Sequence, residues 1–203
     1  MIKIYVARLP QIERNEPLLC LERQNEINSI SNERVRREKY YVWKLLEYAI
    51  KNGLEKDASS IRFKKSKNGK WSCKEFEFSI SHSTEAIAVA VSDESVGIDV
   101  ERIRVKRSKK MAEYILTEDE YFEYSDIPDE NGENYIVRKW CQKEAVFKTQ
   151  NKAHFRPSEI ETAEYFCVTK NFDIGEEKYI LAVAAKKRQE FEIFELYDLF
   201  ENR

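Results

Sequence analysis

The sequence predicts an α+β protein of two similar halves, and three observations carry that reading. Each half holds one long helical run and several short strand-like segments. A basic stretch at residues 102–110 gives way to an acidic one at 118–133, a change of sign that marks a hinge between the halves. The phrase EAIAVAV at 85–91 is echoed by KYILAVAA at 178–185, each ahead of a turn and another strand. The division falls between residues 1–104 and 105–203, and two such halves create a cleft between them.

In chain order, Ile2, Ile4 and Val6 alternate with Lys3 and Tyr5, the period of a strand that stops before Pro10. Over residues 32–51, Val35, Val42, Leu45, Leu46 and Ala49 fall near helical spacing, with Asn32 as N-cap and Gly53 beyond the end. Strands are expected at 61–63, 76–80, 86–91 and 96–100, with turns at Asn68-Gly69 and Asp93-Glu94-Ser95. Pro128 and Asn131-Gly132 break the acidic stretch. Residues 135–149 then read as the second helix, followed by strands at 163–169, 179–185 and 191–197.

A length of 203 residues with 42% hydrophobic and 12% aromatic side chains suffices for a packed core and argues against disorder. The 35 basic and 37 acidic side chains leave a net charge of -2, so the total favours no partner and any steering must come from local patches. Cys20, Cys73, Cys141 and Cys167 form no C-x-x-C pair and read as reduced packing residues. Lys3 and Arg8 interrupt any signal-peptide core, and no apolar run approaches the roughly 18 residues of a membrane span, so a soluble cytoplasmic chain is expected.

Three segments carry chemistry. In Ser95-Val-Gly-Ile-Asp-Val-Glu101 the strand period puts Asp99 and Glu101 on one face and Val96, Ile98 and Val100 on the other. Neighbouring carboxylates repel unless a cation lies between them, and hard oxygen donors suit magnesium better than zinc; a half-exposed strand edge is the bland alternative. On the second helix, positions 137, 140, 141, 144, 145 and 148 form one stripe reading Val, Trp, Cys, Glu, Ala, Lys. Glu144 and Lys148 thus stand one turn apart, either as a surface pair or as a site at the edge of the core. Finally, Phe78-Ser-Ile-Ser-His-Ser83 ends a strand in hydroxyls and an imidazole, which suit a phosphate or cap the strand.

Taken in order, Ser81-His82-Ser83, Gly97-Ile-Asp-Val-Glu101 and Trp140-Cys-Gln-Lys-Glu-Ala-Val-Phe-Lys148 resemble the signature of 4'-phosphopantetheinyl transferases of the surfactin-synthetase-activating type. The resemblance implies two α+β halves in pseudo-twofold arrangement with coenzyme A bound between them. It implies transfer of the 4'-phosphopantetheine arm to a serine of an acyl or peptidyl carrier protein, leaving adenosine 3',5'-bisphosphate. Asp99, Glu101 and Glu144 would hold Mg2+ against the diphosphate, and Lys148 would contact that diphosphate. Ser81 and His82 would meet the 3'-phosphate end. Glu144 and Lys148 would be catalytic, Glu144 as the base for the carrier serine. Arg23, Arg37, Lys39, Lys70 and Lys143 are further implied contacts to coenzyme A.

The chain departs from that pattern at three places. Thr149-Gln-Asn-Lys-Ala-His154 stands where a glycine-rich turn follows the helix lysine, Ser79 replaces an asparagine, and Gly69-Lys70-Trp71 replaces Gly-Lys-Pro. The altered turn motivates an alternative, a degenerate binding module for coenzyme A or a carrier domain. The basic run Arg102, Arg104, Lys106, Arg107, Lys109 and Lys110 lacks the interleaved aromatics of a nucleic-acid surface. It reads as a solvated connector or as a docking patch for an acidic apo carrier protein. Two halves in one chain make a monomer sufficient.

Overall fold

The structure, a computed structural model, describes residues 1–12, 16–103, 109–150 and 152–200, apart from the side chains of residues 129 and 130. Four layers stack in the order helix, sheet, sheet, helix. The first sheet holds β1 (Ile2–Arg8), β4 (Glu77–Ser83), β5 (Ala86–Ser92) and β9 (Phe191–Glu195), in the order β4-β5-β1-β9. The second holds β6 (Val96–Arg102), β7 (Phe166–Ile174) and β8 (Glu177–Ala185), in the order β6-β8-β7 and antiparallel throughout. A small ribbon pairs β2 (Lys64–Lys65) with β3 (Trp71–Ser72) across the expected Asn68-Gly69 turn.

Strand alternation decides what each sheet face meets. On β5, Ile87, Val89 and Val91 join the core under helix α2 (Glu33–Gly53), whereas Ala86, Ala88 and Ala90 face the second sheet. The small residues allow the two sheets to close, and Ile2, Ile4 and Val6 of β1 pack there against Val96, Ile98, Val100, Leu181 and Val183. On its far side, β8 presents Ile180, Ala182 and Ala184 to Val137, Cys141 and Ala145 of helix α5 (Asp129–Thr149). The two echoed phrases become β5 and β8, each an inner strand of its sheet. Helix α2 starts at its expected cap, the Asn32 side chain accepting from the Val35 N–H.

Four expectations are corrected. The acidic stretch, for which no helix was expected, holds helix α4 (Glu118–Ser125), opened by a reciprocal capping box between Thr117 and Glu120. Helix α5 begins at Asp129 rather than 135 and carries Asn131-Gly132 within it. Pro128 precedes it, and Gly132 makes room for the Tyr124 ring. Residues 61–63 form no strand; Ile61 and Phe63 pack on the core without a ladder. The strand expected from 163 starts at Phe166, after a short 3-10 turn at Thr162–Glu164.

Two helices had no sequence signal strong enough to read. Helix α1 (Leu21–Asn28) buries only Arg23 and Ile27 and has no side-chain cap at Cys20. Helix α3 (Lys109–Ile115) buries Ala112 and Ile115. All four cysteines are free, and Cys20 and Cys141 are buried. Among the described residues no helix is long and apolar enough to cross a membrane. The expected division at residues 104 and 105 lies outside the described residues, as do Arg104, Lys106 and Arg107 of the basic run.

Candidate active site

The site depends on how closely α5 lies against β6. Gly97 has no side chain, and a Cβ placed there would stand 1.9 Å from the Ala145 carbonyl oxygen and 3.1 Å from the Thr149 nitrogen. That contact carries Glu144 and Lys148 over the β6 face that bears Asp99 and Glu101, as the strand period requires. The valines and isoleucine at 96, 98 and 100 are buried against the first sheet, on the other face.

The four side chains converge on one cleft of about 660 Å³. Asp99 is buried, and its Oδ1 accepts from the Lys148 ammonium at 2.8 Å and from the Ser81 hydroxyl at 2.7 Å. The same ammonium donates to the Ile98 carbonyl at 3.0 Å and lies 3.5 Å from Glu144 Oε2. The Cys141 sulfur sits 3.3 Å from Asp99 Oδ2 and 3.3 Å from the Ile180 carbonyl. Glu101 Oε2 accepts from the Ser83 hydroxyl at 2.8 Å.

Electrostatics follow from burial. The Glu144 carboxyl is pushed up to about 8, first by burial and then by the negative charge of Asp99, with Lys148 opposing. Burial pulls the Lys148 ammonium down, but Asp99 and Glu144 outweigh it and hold the group above its ordinary value. His82 lines the same cleft with its Nδ1 3.6 Å from Glu38 Oε2; burial lowers its pKa and Glu38 offsets part of that. The Cys141 thiol is pushed well up by burial and by Asp99, so it remains a neutral packing group.

Among the remaining sequence-derived residues, Arg23, Lys39 and Lys70 line the cleft and two others do not. The Arg23 guanidinium is buried, stacks over Trp43 and Trp71 with ring-centroid distances of 5.0 and 5.9 Å, and pairs with Glu26 at 3.0 Å. The Lys70 ammonium donates to the Lys148 carbonyl at 2.8 Å. Arg37 instead donates to the Gln11 carbonyl at 3.0 Å. Lys143 is fully buried on another face of α5, 2.6 Å from Glu120 and 2.9 Å from the Pro157 carbonyl, because its helix position is one residue out of register with the cleft-facing Glu144. Neither Arg37 nor Lys143 is among the residues that line the cleft.

Sequence reasoning missed Glu26, Glu38, Lys65 and Phe147, which line the cleft or support residues that do. Trp71 had been noted only as a departure, yet its Nε1 donates to Glu26 at 3.2 Å and its ring underlies Arg23. Ser79, a second of the three departures, accepts the Ile98 N–H at 3.0 Å. Among the described residues no three His, Cys, Asp or Glu side chains form a chelating cluster. The donor set on the cleft wall is nevertheless one of hard carboxylate oxygens. Magnesium is usually held by one or two carboxylates together with substrate phosphates, not by an all-protein cage, and this donor set fits that mode.

The family model of the 4'-phosphopantetheinyl transferase superfamily matches residues 95–184 of this α+β chain, a stretch that holds Asp99, Glu101, Glu144 and Lys148. Two curated relatives are of the same kind. The chain is 38% identical over 77 residues to the 4'-phosphopantetheinyl transferase psf-1 of Bacillus pumilus, a stretch covering 38% of this chain and 33% of that protein. It is 32% identical over 99 residues to the 4'-phosphopantetheinyl transferase gsp of Aneurinibacillus migulanus, covering 48% of this chain and 41% of the relative. The matched stretch therefore spans about a third to two fifths of the length of these relatives.

Proposed function

We propose that this chain transfers the 4'-phosphopantetheine moiety of coenzyme A to a serine of an acyl or peptidyl carrier protein. The observation that carries the reading is the convergence of Asp99, Glu101, Glu144 and Lys148 from a strand and a separate helix onto one cleft. In this reading the two sheet-and-helix units are similar halves in pseudo-twofold arrangement with coenzyme A between them.

A diphosphate brings more negative charge than a dry cleft tolerates, so the wall that receives it needs cationic compensation. Asp99, Glu101 and Glu144 would hold Mg2+, which supplies charge neutralisation at the diphosphate oxygens when bound. Lys148 offers a second positive charge on the same wall. His82 at the end of β4, with Arg23, Lys39 and Lys70 also lining the cleft, is suited to the 3'-phosphate end. The carrier serine oxygen attacks the phosphorus of the phosphopantetheine phosphate. Its proton passes to Glu144, and the bond to the adenylate-side oxygen breaks, releasing adenosine 3',5'-bisphosphate.

The test is incubation of the chain with an apo carrier, coenzyme A and Mg2+, read by the mass of the phosphopantetheine adduct. Glu144→Gln and Asp99→Ala are expected to abolish the adduct while retaining the wild-type circular dichroism spectrum. A wild-type rate in either variant overturns the mechanism. Absence of any adduct with the wild-type chain, across fatty-acid, polyketide and nonribosomal-peptide carriers, favours the binding-module alternative.

A further inference from the structure

Strand β6 is the outer strand of its sheet, so the N–H groups on the side away from β8 have no ladder partner, yet that side is buried against β4. A buried amide left without an acceptor costs about 1–3 kcal/mol. The face of β4 that meets this edge answers with hydroxyls at every second residue. Ser79 Oγ accepts from Ile98 N–H at 3.0 Å, Ser81 Oγ from Val100 N–H at 3.3 Å, and Ser83 Oγ from Arg102 N–H at 3.2 Å. The offset is 19 residues at all three rungs, so the two strands run side by side in parallel, joined through side chains instead of backbone carbonyls. Beside these serines, β5 presents Ala90, Ala88 and Ala86, so the row of hydroxyls follows the open edge of β6.

An edge cap alone accounts for Ser79. Ser81 and Ser83 do more, because a hydroxyl that accepts through a lone pair keeps one proton to donate. Ser81 gives it to Asp99 Oδ1 at 2.7 Å, and Ser83 gives it to Glu101 Oε2 at 2.8 Å. We propose that Ser83, together with Ser81, is a positioning residue for the site: each hydroxyl is fixed by the β6 amide behind it and in turn fixes the preceding β6 carboxylate in the rotamer that lines the cleft. The single Ser81 proton is thereby committed to Asp99, so this hydroxyl acts through the carboxylate and does not donate to a phosphate. The inference rests on the reading above, in which Asp99 and Glu101 hold a divalent cation against a diphosphate.

The three rungs supply their own control. Ser79→Ala and Ser83→Ala each remove one hydroxyl rung, but only Ser83 also bonds a carboxylate. The readout is Mn2+ bound by the full chain at fixed coenzyme A, followed by the electron paramagnetic resonance signal of free Mn2+, so no transfer reaction enters the measurement. Loss of an outer-shell bond to a ligating carboxylate typically weakens metal affinity about 10–100-fold, so Ser83→Ala is expected to weaken Mn2+ about tenfold or more. Ser79→Ala should lower thermal stability to a similar degree while keeping the wild-type Mn2+ affinity, and Ser83→Thr, which keeps the hydroxyl, should restore it. Equal Mn2+ affinity in Ser79→Ala and Ser83→Ala, unchanged or equally weakened, overturns the positioning role. A wild-type chain that binds Mn2+ and coenzyme A with this order of affinities yet modifies no carrier overturns the transfer reading and leaves the positioning role standing.

Discussion

Substituting Gly97 by alanine tests the claim that one missing side chain assembles the site. The added Cβ would stand 1.9 Å from the Ala145 carbonyl oxygen and 2.9 Å from its carbonyl carbon. Ordinary contact begins near 3.4 Å, so α5 must retreat by about 1.5 Å, the difference between 3.4 and 1.9 Å. The obstacle is helix backbone, with no flexible side-chain tip to swing aside. Overpacking of this kind costs about 1–3 kcal/mol or more. For a chain of this size about 1 kcal/mol shifts Tm by roughly 2–4 °C, so a fall of about 2–12 °C is expected in a thermal melt. The retreat also draws Lys148 off Asp99, now at 2.8 Å, beyond hydrogen-bond reach. A misplacement of about 1 Å at a reacting centre can cost on the order of 100-fold in rate. Initial rates of adduct formation, measured well below the variant's Tm so that unfolding does not contribute, separate the two effects. A Gly97→Ala chain that melted within about 1 °C of wild type and kept its rate would show that α5 has slack the structure does not contain.

Three further outcomes follow from other contacts. Glu120→Gln, which leaves Lys143 buried without its carboxylate partner, should cost about 3–5 kcal/mol at neutral pH by urea denaturation, whereas Glu120→Leu with Lys143→Met should recover most of that loss. Burial raises the Glu120 carboxyl, but bonds from Lys143 and the Thr117 N–H outweigh it and hold it below its ordinary value. Its contribution is therefore full above the unfolded carboxylate value of about 4.3 and is lost as pH falls further, so the gap between wild type and Glu120→Gln should narrow below about pH 4.3; a gap constant to about pH 2 contradicts this. Thr84 sits at φ 56° with its buried Oγ1 unbonded among the described residues, a conformation that costs a β-branched residue about 1–2 kcal/mol. Thr84→Gly should therefore raise Tm by roughly 2–4 °C, and a lower Tm would refute the strain. Asn32→Ala removes the α2 cap and should cost about 1 kcal/mol, read by the same melts.

The site was legible in the sequence wherever periodicity alone sets a direction. Residues 96–101 alternate strictly, so the apolar and acidic faces of β6 follow from the strand period. The cap at Asn32 and the helix through Lys148 follow from spacing in the same way. What could not be read is what tertiary contact decides. Lys143 adjoins Glu144 in the chain, and only the packing of α5 against α4 shows that it turns to Glu120. Glu38 lies in a run of charges on α2 with nothing to mark it as the partner of His82. Ser79 looked like a lost asparagine contact, and only the open edge of β6 shows what its hydroxyl does. Helix α4 went unread in the acidic stretch because its charge density hid any apolar period, while the Thr117 and Glu120 capping pair that starts it spans only four residues.

The parallel pairing of β1 with β9 joins residues 2–6 to residues 191–195. During synthesis, therefore, the second edge of β1 stays uncovered until residues 191–195 have emerged, which is the kind of long-range closure that slows folding. A product cut short before residue 191 would expose the backbone of the Ile2–Arg8 strand beside an apolar row, a template for pairing with other chains. Pairing with β9 thus distinguishes a chain that contains residues 191–195 from one that lacks them, and proteolytic surveillance would act on the difference.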